Sequence, residues 1–314
     1  NLSISYNSCR NRHCPQCQGH KREEWIQKRE QELLPCSYYH VVFTLPEELN
    51  GLAISQPALL YKTLFEAAWA TLNQFGKTEQ IQLGMIAILH TWGQNLSLHP
   101  HLHCIVPGGG IDQNSKWKKK VRTDKYLFCV KAMSKVFRAK FVALLRASGI
   151  KDQDLMDKLF TKNWVVYAKR PFGGPKQVIE YLGRYTHKVA ISNHRIKEVT
   201  DHEVRFGYKD YRKEGQKKEM TLSNTEFVRR FSLHILPRRF VRIRHYGILS
   251  SSWKRGKLQD LQSDLKIQIT EVKPKTLLKK CRCCKEGNLI TIALFGQRGP
   301  PQDFLAVFNA SSAK

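Results

Sequence analysis

No run of eighteen apolar residues occurs in this 314-residue chain; the apolar stretch Gly84 to Leu89 stops at His90. A membrane-spanning helix needs about 20 such residues, so none is expected here. The start of the chain has no basic segment, apolar middle or small-residue cleavage site, and so does not read as a signal peptide. Asn1 rather than Met stands first, which leads to the expectation that natural residues precede it. Internal repeats and low-complexity tracts are also lacking. Acidic residues are scarce: Asp plus Glu number 26 against 53 Lys plus Arg, a formal net charge of +27. Such an imbalance exceeds what solubility requires and points to a polyanionic partner, nucleic acid first. With 41% hydrophobic residues the chain has enough apolar material to bury a core, which excludes disorder throughout.

Nine cysteines stand at positions 9, 14, 17, 36, 104, 129, 281, 283 and 284. An odd number clustered towards the two ends argues against a disulfide framework and for metal binding in a reducing cytoplasm. Cys14-Pro15-Gln16-Cys17 is a C-x2-C knuckle with Cys9 five residues before it. Zinc takes four ligands in a tetrahedron, and two sulfurs on one tight turn supply half of it. Cys9, Cys14 and Cys17 leave the fourth place to His13, His20, Cys36 or an upstream residue. Cys281 and Cys284 form a second C-x2-C pair with no partner pair in view.

Hydrophobic patterning predicts an α+β protein. Strands are expected over Tyr38 to Leu45, Gly84 to Trp92, Leu102 to Pro107, Asn163 to Lys169, Val189 to Ile196, Val204 to Tyr208 and Phe240 to His245. Helices are expected over Pro57 to Phe75, closed by Gly76, then over Lys131 to Ala147, Pro175 to about Tyr185, and Thr225 to Ile235. The second and third strands read as an antiparallel hairpin. Between Arg205 and Lys257, fifteen Lys or Arg accompany four Asp or Glu, with Phe206, Tyr208, Tyr211, Phe240, Tyr246 and Trp253 interleaved. Basic groups hold phosphates while aromatic rings stack on bases, although a solvated face over core aromatics would look the same.

His101 and His103 are two apart on an expected strand, so both imidazoles point to one face. His90 on the neighbouring strand is the third candidate ligand, with His99 and His187 in reserve. Three protein ligands leave positions open for a substrate oxygen, as a catalytic metal requires. Imidazoles alone suit zinc as well as other divalent ions. Tyr181 and Tyr185, at i and i+4 of an expected helix, present two phenols on one face beside Arg184, His187, Lys188 and Arg195. Most tyrosine pairs of this kind are packing residues, but a cationic surround favours phenolate and could hold DNA phosphates.

At these residues the chain resembles the two-tyrosine HUH transposases of rolling-circle insertion sequences of the IS-ninety-one type, relatives of common-region transposases and Helitrons. The resemblance rests on Ser8-Cys9-Arg10-Asn11-Arg12-His13-Cys14-Pro15, His90-Thr91-Trp92-Gly93-Gln94, His99-Pro100-His101-Leu102-His103-Cys104, Tyr181-Leu182-Gly183-Arg184-Tyr185-Thr186-His187, and Leu236-Pro237 with Phe240-Val241-Arg242-Ile243-Arg244-His245-Tyr246-Gly247. It implies an HUH endonuclease-like antiparallel sheet with helices packed on it, a zinc-knuckle segment over residues 1–35, a catalytic domain over 36–200 and a basic DNA-binding region over 201–314. Further zinc-ligand cysteines usually stand upstream in that family. The implied activity is cleavage and rejoining of single-stranded DNA at transposon ends through 5′-phosphotyrosine at Tyr181 and Tyr185. Mg²⁺ or Mn²⁺ at His90, His101 and His103 is likewise implied, with Arg184, Lys188, Arg242 and Arg244 on the DNA. Covalent storage of the bond makes a nucleotide cofactor unnecessary, no membrane is involved, and the setting implied is the bacterial cytoplasm at the nucleoid. A replication initiator or relaxase with the same chemistry is the first alternative; a non-catalytic zinc-containing DNA-binding regulator is the second.

Overall fold

Period-two alternation along the first strand divides the molecule into two sides. A computed structural model describes residues 11–14, 18, 25, 26, 28–119, 127–169, 183, 188–267 and 286. Apart from Glu286 these all belong to one unit, residues 1–271. In chain order the elements are β1 (Tyr38–Thr44), α1 (Asn50–Ser55), α2 (Pro57–Thr78), β2 (Gly84–Trp92), β3 (Leu98–Pro107), β4 (Gly109–Ile111), β5 (Trp117–Lys119), α3 (Val130–Ala147), α4 (Gln153–Thr161), β6 (Val166–Lys169), β7 (Ile196–Val199), β8 (Glu203–Asp210), β9 (Gln216–Ser223), α5 (Asn224–Ser232), β10 (Ile243–Gly247) and α6 (Lys257–Asp264). The architecture is α+β, as the patterning predicts.

Five strands form an antiparallel sheet in the order β10-β2-β3-β1-β6. Val41, Phe43, Met85, Ala87, Leu89, Leu102, Cys104, Val106, Val166 and Ala168 share one face and merge into a single core with Leu60, Leu64, Phe65 and Leu72 of α2 and Phe137 and Phe141 of α3. Each fully buried Leu or Phe on those helices contributes about 1.5–3 kcal/mol over an exposed one, which holds α2 and α3 to this face. The opposite face begins with Tyr38, Ile86 and Ile105, covered by a second core of Trp25, Leu34, Ile248, Leu258 and Leu261. Along the same face, beyond that cover, the register brings His40, His90, His101 and His103.

Several boundaries depart from the sequence expectation for identifiable reasons. α2 runs through Gly76 to Thr78; Gly76 serves close packing, because a Cβ there would lie 2.9 Å from a Leu83 side-chain carbon, and Gln80 adopts the left-handed conformation after the helix ends. β3 begins earlier than expected, at Leu98, which puts His99 in the strand. Of Val189 to Ile196 only the last residue is in a strand, as the first of β7. Val189, Ala190 and Ile191 are buried, and Ala190 and Ile191 fill a third core with Leu96 and Phe206. α5 begins at Asn224, capped by the Ser223 side chain accepting from the Glu226 amide, and ends at Ser232, short of the expected Ile235. The expected helix from Pro175 to Tyr185 lies outside the described residues, Gly183 excepted.

β10 comes from the basic C-terminal stretch yet forms an edge of the central sheet, so that sheet continues across position 200. Gly247 ends it at a positive φ of 57°, where a Cβ would fall 1.9 Å from the Leu83 carbonyl oxygen. Gly247→Ala is therefore expected to lower stability by about 2–4 kcal/mol in urea unfolding, since the steric clash and the left-handed backbone act together. Unchanged stability would show that the β10 end yields without loss.

Candidate metal centre

His90 and His101 are directly paired across β2 and β3, and His103 lies one same-face step along β3. The candidate ligand atoms of all three fall within 4.8 Å of one another. Their rings stand nearly perpendicular in every pair, at 79° for His90 and His101, 74° for His90 and His103, and 78° for His101 and His103. Three mutually inclined rings around a common point are what an open-sided three-nitrogen site needs. The structure thus brings together the three histidines singled out from the sequence, His90 included.

Hydrogen bonds orient two of these rings. Nδ1 of His101 donates to the His99 carbonyl at 2.6 Å, which leaves the ring's lone pair on Nε2. Nδ1 of His103 lies 2.9 Å from Nε2 of His40, a residue on β1 that sequence reasoning missed. The Trp92 indole stacks on His90 at 4.6 Å and 18°. A single histidine in the middle of the otherwise largely apolar strand Tyr38–Thr44 was the available signal for His40.

Burial lowers the His101 pKa to about 4 and pushes His103 well below its ordinary value, with the neighbouring imidazoles and the Lys188 ammonium acting in the same direction. Both rings are thus neutral at physiological pH, the form that ligates a metal. The donor set fits a divalent cation through nitrogen. Lys188, exposed itself, has a pKa lowered by partial desolvation of its ammonium and by Arg195 and Lys209. Cationic side chains beside neutral ligands attract an anion to the same place, which suits a phosphate oxygen as a further ligand.

The β2–β3 turn that carries His90 and His101 at its base is held by the small three-stranded sheet β7-β8-β9 and α5. Arg195 Nη2 donates to the Gln94 carbonyl, Arg230 Nη1 to Asn95 at 3.3 Å, and His234 Nε2 to Leu96 at 3.1 Å. Leu96, fully buried at a φ of 61°, plugs the third core. In the neutral ring, with Nε2 donating to Leu96, Nδ1 of His234 accepts from the Thr91 hydroxyl 3.2 Å away. Burial lowers the His234 pKa to about 4. Its stabilising contribution is complete above about pH 6.5, the unfolded value, and is lost as pH falls towards 4, with a slope of about 1.4 kcal/mol per pH unit. Thermal melts from pH 7 to 4 are expected to show a shallower acid loss for His234→Gln than for the native chain; identical profiles would assign the acid loss to other groups.

The remaining candidates are distributed unevenly. Tyr181, Tyr185, Arg184, His187, Cys9 and Cys17 lie outside the described residues. Cys14 is a partly exposed free thiol on a turn closed by Cys14 N to Asn11 O. Cys36, offered as a fourth zinc ligand, is buried in the second core with its thiol pushed up to about 12, which suits a neutral thiol and not a thiolate. Arg242 donates to the Lys188 carbonyl at 3.2 Å. Arg244 pairs with Ala87 on the helix side of the sheet, opposite to the histidines, and its guanidinium lies over Phe65 at 4.3 Å and Phe240 at 5.2 Å. No described helix is long and apolar enough to cross a membrane.

Two family models match the chain. Residues 84–257 match one described as "Putative transposase", and residues 1–45 match one described as "Transposase zinc-binding domain". "Putative transposase y4qJ" of Sinorhizobium fredii (strain NBRC 101917 / NGR234) is 41% identical over 95% of this chain and 84% of its own length. "Transposase for insertion sequence element IS801" of Pseudomonas savastanoi pv. phaseolicola is 28% identical over 78% of this chain and 62% of that protein. Among solved structures, TrwC complexed with a 27-mer DNA of the recognition hairpin and cleavage site is 11% identical, covering 74% of this chain and 75% of the other, with a TM-score of 0.29. The metal-bound conjugative relaxase TrwC in complex with oriT DNA is 12% identical over 74% and 73%, also with a TM-score of 0.29.

Proposed function

The chain belongs to the transposase family whose model spans its residues 84–257, and from that premise we propose that it cleaves and rejoins single-stranded DNA at transposon ends through 5′-phosphotyrosine intermediates. The observation that carries this reading is the convergence of three buried imidazoles beside Lys188. Of the three readings the sequence leaves open, family membership selects the transposase over the relaxase and the regulator.

His90, His101 and His103 would hold Mg²⁺ or Mn²⁺, and a nitrogen-only donor set suits Mn²⁺ better of the two. The bound ion supplies Lewis-acid polarisation of the scissile phosphate and offsets charge gathering on its oxygens. Tyr181 or Tyr185 is the nucleophile. Its phenolic oxygen, having lost its proton, forms the bond to phosphorus as the bond to the 3′-oxygen breaks; that oxygen leaves as a 3′-hydroxyl after taking up a proton. The reverse reaction with another 3′-hydroxyl rejoins DNA without ATP, because the phosphodiester energy stays in the tyrosine ester. Lys188 and Arg184 are assigned to the substrate phosphates, and Cys9, Cys14 and Cys17 to zinc in the segment that matches the zinc-binding domain. A DNA substrate sets the work at the bacterial nucleoid, in the cytoplasm.

Incubating the protein with labelled single-stranded transposon-end DNA and Mn²⁺ is expected to give a covalent adduct on a denaturing gel. Absence of an adduct with every divalent ion would remove the phosphotyrosine mechanism.

The two late arginines are expected to separate in their effects. Arg242→Ala should lower the salt dependence of DNA binding, by about 0.7–0.9 in slope for each phosphate no longer neutralised. Arg244→Ala removes a cation stacked on Phe65 and Phe240 and should instead cost stability, about 1–2 kcal/mol in urea unfolding, with the slope little changed. A steep fall in salt dependence for Arg244→Ala would bring the helix side of the sheet into the DNA interface.

A further inference from the structure

His40 is nearly wholly buried, at 4% exposure, on the face of β1 that it shares with Tyr38 and Val42. Its backbone partner across the sheet is Ile105, while His103 is paired with Val42, so the two imidazoles are diagonal neighbours on the same face. Nε2 of His40 and Nδ1 of His103 are 2.9 Å apart. The ring centroids are 5.1 Å apart and the rings are inclined by only 20°. So short a nitrogen separation with so long a centroid distance means that the rings meet edge to edge, nearly in one plane, which is the geometry of a directed hydrogen bond and not of a face-on stack.

From this we propose, resting on the metal reading above, that His40 is a positioning residue: its Nε2 accepts the Nδ1 proton of His103 and thereby fixes the His103 ring with Nε2 turned to the metal. A metal-bound imidazole usually donates its second N–H to such a partner, which sets its tautomer and orientation. The common partners are carboxylates, carbonyls and water. Here the acceptor is a neutral imidazole. It orients the ligand without adding negative charge, so the centre keeps the full positive charge of its ion for phosphate. Sequence position also distinguishes the role, because His40 lies far upstream of His90 and outside the paired His101 and His103.

The test is Mn²⁺ binding to the full chain, by calorimetry and by the loss of free Mn²⁺ signal in electron paramagnetic resonance, with circular dichroism and thermal melting as checks on folding. His40→Leu fills the space without an acceptor and is expected to weaken Mn²⁺ affinity 10–100-fold. His40→Gln offers an amide oxygen as acceptor and should bind within about threefold of the native chain on the same basis. A merely structural His40 would lower the melting temperature and leave the affinity unchanged, which would overturn the proposal. Equal weakening in His40→Gln and His40→Leu would overturn it too, since an acceptor would then not be what matters. Should His40→Leu fail to fold, His40→Gln against His40→Phe repeats the comparison. Native chain and His101→Ala/His103→Ala binding Mn²⁺ alike would instead overturn the metal centre, and His40's part with it; tight native binding with an unaltered His40→Leu would overturn His40's part alone.

Discussion

Replacing His101 and His103 together by Ala is expected to reduce adduct formation on single-stranded ends at least 1000-fold, about 4 kcal/mol of transition-state stabilisation, while DNA affinity stays within a fewfold of the native value. The reason is that two of the three convergent ligands are removed at once, leaving His90, which alone cannot hold a divalent ion with useful affinity. The basic residues proposed to meet DNA phosphates, Lys188 beside the histidines among them, are left in place by the double change. Folding should survive, because the pair lies beyond the second core and not within it. The measurement is a denaturing-gel adduct assay over a Mn²⁺ titration, beside a filter-binding isotherm. Retained cleavage in the double variant would remove these histidines from the chemistry, and DNA binding that disappears together with cleavage would make them part of the DNA surface. His90→Ala is the informative companion. Its ring is stacked on Trp92, so the substitution should weaken Mn²⁺ binding and also alter Trp92 fluorescence.

Changing both Tyr181 and Tyr185 to Phe is expected to abolish the covalent adduct altogether while Mn²⁺ and DNA binding persist. Each single change should stop the transposition cycle at a different stage. On the helix expected from the sequence, residues four apart would be displaced by about 5–6 Å, so a single metal centre would not align both phenols on one phosphate at once. Sequential use is expected: one tyrosine, for which Tyr185 is our choice, makes the first cut, and the other takes the second strand end. Tyr185→Phe should therefore lose the adduct on the first end, and Tyr181→Phe should keep it but fail to complete transposition. Complete transposition by either single variant would refute the use of two nucleophiles. An adduct in the double variant would reject these tyrosines entirely.

The ends of β2 are legible in the sequence because Gly84–Trp92 is a β-rich run bounded by a polar turn, and the alternation His101-Leu102-His103 already places both imidazoles on one face. α2 and α3 are legible from helical spacing, and in α3 the buried stripe is Met133, Phe137, Phe141 and Leu145. Local pattern determines such elements because the period and the flanking residues act within a few positions of each other.

Other features depend on residues far apart in the chain, and only the folded arrangement decides them. His40 meets His103 across 63 positions, and no spacing rule links them; the β1–β3 register does. Arg244, read from its basic neighbours as a DNA-binding residue, lies on the helix side of the sheet because β10 pairs with β2 in the register Arg244 to Ala87. Val189 to Ile191 read as a strand by composition, yet Ala190 and Ile191 pack into a core whose central plug, Leu96, belongs to a turn far earlier in the chain. Chemistry-bearing residue types and their local faces are thus written in the linear order, since covalent spacing sets them. Which face meets which, and whether a buried ring finds a partner, is settled by strand register and core packing, where burial of apolar surface outweighs the preference of any single segment.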